Sequence, residues 1–133
     1  MECHGITYER IKHKSYKYRL LKSYRIFINL VGNVNTKYFS LKNGWLTVKK
    51  GYAWDGCSGP SIDTKTNMRG GLVHDTLYQM LRDGYLPQGH GHRKFADKLF
   101  KKILLQDGMF ILRAEYYYFG VRKFGAKYAR PTK

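Results

Sequence analysis

The chain has 133 residues, 43% hydrophobic and 16% aromatic, a length for one cored domain and a composition that excludes disorder. Twenty-five Lys and Arg against nine Asp and Glu give a net charge of +16, which attracts polyanions such as nucleic acid, anionic lipid or acidic protein. Two cysteines, Cys3 and Cys57, exclude a disulfide framework, and no run approaches the ~18 consecutive apolar residues of a transmembrane segment.

Residues 1–50 read mostly as strands. Tyr16–Leu20 is aromatic-rich, and Tyr24–Leu30 alternates so that Ile26, Ile28 and Leu30 share one face. Tyr38–Leu41 and Trp45–Val48 flank Lys42-Asn43-Gly44, a hairpin signal, because Asn-Gly readily adopts the positive φ of a tight primed turn. Residues 51–67, rich in Gly and short polar side chains, read as one long loop, a length that is often functional.

Residues 68–125 read as three helices. Val73, Leu77, Met80 and Leu81 form a stripe over 68–82, and Ala96, Leu99, Phe100, Ile103 and Leu104 form one over 93–106. Asp83-Gly84 and Asp107-Gly108 punctuate their ends, and a third helix is expected at about 109–123, with Gly125 just beyond. Residues 126–133 read as a basic tail. Strands followed by helices make a single α+β domain: N-terminal antiparallel hairpins or a small sheet, then a three-helix half.

His74-Asp75-Thr76-Leu77-Tyr78 is the stretch that looks most like a site. His74 and Tyr78 are four apart and share a helix face, while Asp75 is rotated from His74 by roughly 100°. An imidazole can handle a proton while the neighbouring carboxylate holds a cation. The Gly-rich loop offers Asp55 and backbone oxygens, which suit a hard ion such as calcium. Asp97, on the second helix, is placed to orient the histidine through its other ring nitrogen, as a base requires. The same residues also have a structural reading, with His74 packed in the core and Asp75 favourable near a helix N-terminus.

Gly70-Gly71 beneath His74 suggests close approach of another backbone or a ligand, or the helix start itself. His90-Gly91-His92 reads as loop residues before a helix, with transition-metal binding as the sharper alternative. Arg113, Arg122, Lys123, Lys127 and Arg130, interleaved with Tyr116–Phe119, are candidates for a polyanion-binding face with stacking surfaces.

Gly51–Asp63, Gly71–Tyr78 and Arg93–Phe100 together resemble an uncharacterised family of small bacteriophage and prophage proteins, a domain of unknown function, over roughly residues 45–125. The resemblance implies a viral origin, with synthesis in the host cytoplasm and a place in the virion as one destination. A weaker similarity is to the phospholipase A2 superfamily. It implies His74 as general base, Asp97 as the orienting carboxylate and Tyr78 as a supporting hydroxyl. Asp75 becomes the calcium ligand, with Gly56, Cys57 and Gly59 in the calcium loop. Leu77 stands where that superfamily has a cysteine, and its disulfides are absent.

Two functions follow as expectations. One is a calcium-dependent hydrolase of lipid esters that acts at anionic membranes. The other is a contact protein: a virion component of tail or neck, or a binder of nucleic acid or a host factor.

Overall fold

A computed structural model describes residues 1–56 and 64–131. Its first half holds strands β1 (Glu2–Cys3), β2 (Ile6–Arg10), β3 (Tyr18–Leu20), β4 (Tyr24–Phe27), β5 (Val34–Asn35), β6 (Phe39–Lys42), β7 (Trp45–Val48) and β8 (Ala53–Trp54). They form two four-stranded antiparallel sheets, in the orders β1-β2-β3-β8 and β4-β7-β6-β5.

The hairpin of β6 and β7 closes over Asn43 and Gly44, whose φ values of 52° and 82° give the primed-turn twist that matches paired strands. Its register, Leu41 opposite Leu46 and Phe39 opposite Val48, puts these four side chains in the core. The strand expected over 24–30 stops at Phe27. Asn29 turns the chain at φ 55°, and the amides of Ile28 and Asn29 both donate to the Gly44 carbonyl at 2.8 and 3.0 Å. Ile28 is nonetheless buried on the face shared with Ile26 and Leu30, which are half-buried.

The second half is helical: α1 (Met68–Arg82), α2 (His92–Gln106), α3 (Ile111–Phe124) and a single turn, α4 (Ala126–Ala129). The α1 stripe of Leu72, Val73, Leu77, Met80 and Leu81 is buried in the main core with residues of both sheets. Gly70 marks the close approach of α2, since a Cβ there would lie 3.1 Å from a Leu104 methyl and 3.3 Å from the Phe100 ring. The helix tolerates this glycine, at about 1 kcal/mol relative to alanine, because the α1–α2 contact needs the space.

Two boundaries differ from the sequence expectation. The long loop begins with β8, which pairs Trp54 with Tyr18 and Ala53 with Arg19. The expected tail begins with α4, held by Arg82 on the Tyr128 carbonyl and Gln88 on the Ala129 carbonyl, both at 2.8 Å. Ala129 is small enough to be buried there, so the basic residues around it are carried on docked backbone.

Candidate functional site

The site is the junction of α1, α2 and α3. His74 and Tyr78 lie on one face of α1, and α2 runs past in the opposite direction with Asp97 between them. Their rings are tilted together, with centroids 4.1 Å apart, and the Phe100 ring is 4.8 Å from His74. All three polar residues are buried, Asp97 completely.

Asp97 is the hub. Its Oδ1 bonds His74 Nε2 at 2.7 Å and accepts the Tyr78 hydroxyl at 2.6 Å, and its Oδ2 accepts Arg122 Nη1 at 2.7 Å. Burial pushes its pKa up, but the bonds from His74, Tyr78 and Arg122 outweigh this and hold the carboxyl below its ordinary value. An ionised Asp97 has no proton to offer, so the hydrogen of the Nε2–Oδ1 bond sits on Nε2, and the neutral tautomer with that arrangement has its lone pair on Nδ1. Nδ1 has no hydrogen-bond partner among the described residues. The His74 side chain as a whole is 5% exposed.

Tyr78 is a donor and not a base. Burial, then the bond to Asp97 and its charge, push the phenol well above its usual value. Arg93 steadies this arrangement from α2. Its Nε donates to the Tyr78 hydroxyl at 3.2 Å, and its Nη2 donates to the carbonyls of Val121 and Arg122 at 2.8 and 2.7 Å. These carbonyls lie in the last turn of α3, and that of Val121 also accepts the Gly125 amide at 2.9 Å. A Cβ on Gly125 would lie 2.6 Å from the Tyr78 oxygen, so only glycine lets the α3–α4 junction sit this close.

His74 lines a cleft of about 1030 Å³ between α1, β8 and the α3–α4 segment. Asp75 and Asp55 also line it, Asp55 exposed and Asp75 half-buried. Tyr52 lines it too, and its phenol is raised by burial and then by the nearby charge of Asp75. Oxygen donors of this kind fit a hard cation. No group of three or more His, Cys, Asp or Glu gathers around a potential metal position among the described residues. Gly56 turns the chain at φ 85° next to Asp55, while Cys57 and Gly59, the rest of the expected cation loop, lie outside the described residues. His90 and His92 have ring centroids 6.4 Å apart, with His92 opening α2.

The expected polyanion residues divide into two groups. Arg113, Lys123, Lys127 and Arg130 line the cleft, among aromatic rings. The Arg113 guanidinium sits 5.4 Å from the Tyr117 centroid, and the Lys123 ammonium 5.6 Å from those of Phe119 and Phe124. Arg122 instead turns inward to Asp97.

Residues 33–121, more than half of the chain, match a family described as a protein of unknown function, DUF1353. The chain belongs to the DUF1353 family. No curated protein and no solved structure matches it. The DUF1353 stretch contains His74, Asp75, Tyr78, Arg93 and Asp97 and stops one residue before Arg122.

Sequence reasoning brought together His74, Asp97 and Tyr78, the trio that the DUF1353 fold seats in one hydrogen-bonded group. It passed over the structural roles of Arg93, Arg122 and Gly125. A signal existed for Arg93, which lies four residues before Asp97 and so shares its helix face. Arg122 carries no such signal, because its partner is 25 residues away on another helix.

Proposed function

We propose that this protein hydrolyses acyl esters of anionic lipids, with His74 as the general base. The observation that carries the reading is the state of the His74 ring: Nε2 is tied to an ionised Asp97, and Nδ1 has no hydrogen-bond partner among the described residues, in a residue that lines the cleft. In this reading Nδ1 takes a proton from water as the water attacks the ester carbonyl. Asp97 holds the ring in the required tautomer and balances the imidazolium that forms. Asp75, Asp55 and the backbone at Gly56 would hold a calcium ion, which when bound supplies stabilisation of the oxyanion. The aromatic walls suit an acyl chain, and Arg113, Lys123, Lys127 and Arg130 suit an anionic headgroup.

The test is hydrolysis of phosphatidylglycerol by purified protein, with calcium or with a chelator. His74→Ala should lose about a hundredfold or more, and Asp75→Asn should raise the calcium concentration needed. Undiminished hydrolysis by His74→Ala would remove the proposed base, and no turnover by the parent protein at saturating calcium would remove the reading.

A second reading is favoured by the cationic and aromatic α3–α4 face together with the +16 charge. Here the chain is a phage protein that acts by contact, as a tail or neck component or as a binder of nucleic acid or a host factor. It predicts copurification with virions or a gel shift that weakens steeply with salt. Neither result at low salt leaves this reading without support.

A further inference from the structure

Helix α3 turns an apolar stripe away from the body of the molecule. Leu112, Tyr116 and Phe119 recur at helical spacing and are 70%, 70% and 61% exposed, while Ala114 on the opposite side is fully buried. A surface helix normally faces its apolar stripe inward. Lys123 continues the stripe by one turn, and Lys127 and Arg130 follow. The one acidic residue of α3, Glu115, is paired with Lys101 at 2.9 Å. The positive charge along this edge therefore has no acid of α3 left to oppose it.

We propose that this stripe docks the protein on an anionic lipid bilayer, with the membrane plane lying across the lip of the cleft. Tyr116, Phe119 and Lys123 line the cleft as well as the exposed edge, so the docking surface and the entrance share residues. The chemistry fits a lipid surface better than a nucleic acid. Leu112 offers aliphatic area that phosphates and base edges do not use, whereas interfacial binding gains from buried apolar area and headgroup attraction together. A second copy of the chain fits worse, because it would set Lys123, Lys127 and Arg130 against another +16 surface. No helix among the described residues is long and apolar enough to cross a membrane, which fits attachment in the interfacial plane. The inference deepens the lipid-ester reading, on which it rests for the cleft's contents, by naming where the substrate is met.

The test is cosedimentation with vesicles of phosphatidylcholine alone or mixed with phosphatidylglycerol. Binding should require phosphatidylglycerol and weaken with salt. Leu112→Asp with Phe119→Asp should weaken it about a hundredfold or more, and Lys123→Glu with Lys127→Glu about tenfold or more. His74→Ala should bind as the parent does, so a protein that binds vesicles without turnover defeats the hydrolase reading alone. Phe119→Trp keeps the surface apolar, and its added emission should be quenched by brominated phosphatidylglycerol. No binding by the parent, an unquenched Phe119→Trp, or a stable dimer that Leu112→Asp with Phe119→Asp dissolves would each overturn the proposal. A parent that shifts DNA but leaves vesicles unbound would do the same.

Discussion

Asp97 and Asp107 are the two buried carboxylates among the described residues, and they are built alike up to a point. Each is met by an arginine from another helix, and a tyrosine hydroxyl takes part in both groups. At Asp107 the arginine is Arg69, whose Nε and Nη2 both reach the carboxylate, the shortest contact being 2.8 Å. Arg69 also donates to the Tyr24 hydroxyl at 2.9 Å and to Gln106 at 3.0 Å. That cluster ties the start of α1 to the end of α2 and to β4. At Asp97, one oxygen is left by the arginine for a histidine that lines the cleft. Asp107 has a histidine nearby too, but His4 Nδ1 stands 3.7 Å from Oδ1, beyond hydrogen-bond reach, on a side chain that is 39% exposed, whereas His74 is bonded to Asp97 at 2.7 Å and buried. Buried charge pairing by itself is not a sign of chemistry; what sets Asp97 apart is a buried imidazole with Nε2 fixed and Nδ1 without a hydrogen-bond partner among the described residues.

The largest expected effect lies on the chemical side of this comparison. His74→Ala should cut ester hydrolysis about a hundredfold or more, while Arg69→Lys, which weakens the other cluster, should leave turnover by the folded protein near the parent value. Equal losses in the two variants would erase the distinction drawn here.

Next comes stability, where the two sites should look alike. Asp97→Ala and Asp107→Ala each leave a half-buried arginine without its buried carboxylate, and each should cost about 3 kcal/mol in urea unfolding. A loss at Asp107 alone would mean that the Asp97 group is dispensable to the fold.

Tyr78→Phe is a smaller change. It removes one hydrogen bond to an ionised partner and one acceptor for Arg93, and should cost about 1.5–3 kcal/mol. Because the tyrosine is read as a donor to Asp97, the pH profile of hydrolysis should keep its shape.

The smallest effect is in the acid limb of stability. The folded pKa of Asp97 lies below its unfolded value, so its contribution is present above about pH 3.9 and lost as pH falls through the folded value. Parent and Asp97→Asn should therefore differ in urea midpoint at neutral pH and converge below about pH 3.9. A gap that widens on acidification would mean that the carboxyl is protonated in the native state at neutral pH.

Much of this molecule was legible without coordinates because its signals are local. Helix periodicity placed α1 and α2 within a residue of their observed starts, since stripes such as Leu77, Met80 and Leu81 are written at a 3.6-residue period. Asn43-Gly44 announced its hairpin through the φ values it tolerates. The hairpin of β1 and β2 escaped notice because its turn, His4-Gly5, uses the same positive φ without the usual Asn. Strand β8 escaped because two residues carry no periodicity, and α4 because one turn has no stripe and basic residues mask its buried alanine.

The sequence by itself determined the α+β order of elements, the charge, and the face on which His74 and Tyr78 stand. These depend on residues within one or two turns of each other. Only the tertiary structure decided that Arg122 faces Asp97 instead of solvent, that Gly125 makes room for the Tyr78 hydroxyl, and that α3 turns Leu112 and Phe119 outward. Each of those depends on how three helices cross. A hydrophobic stripe looks the same in sequence whether it faces the core or the surface, and a basic residue reads as surface until a buried carboxylate is found to need it.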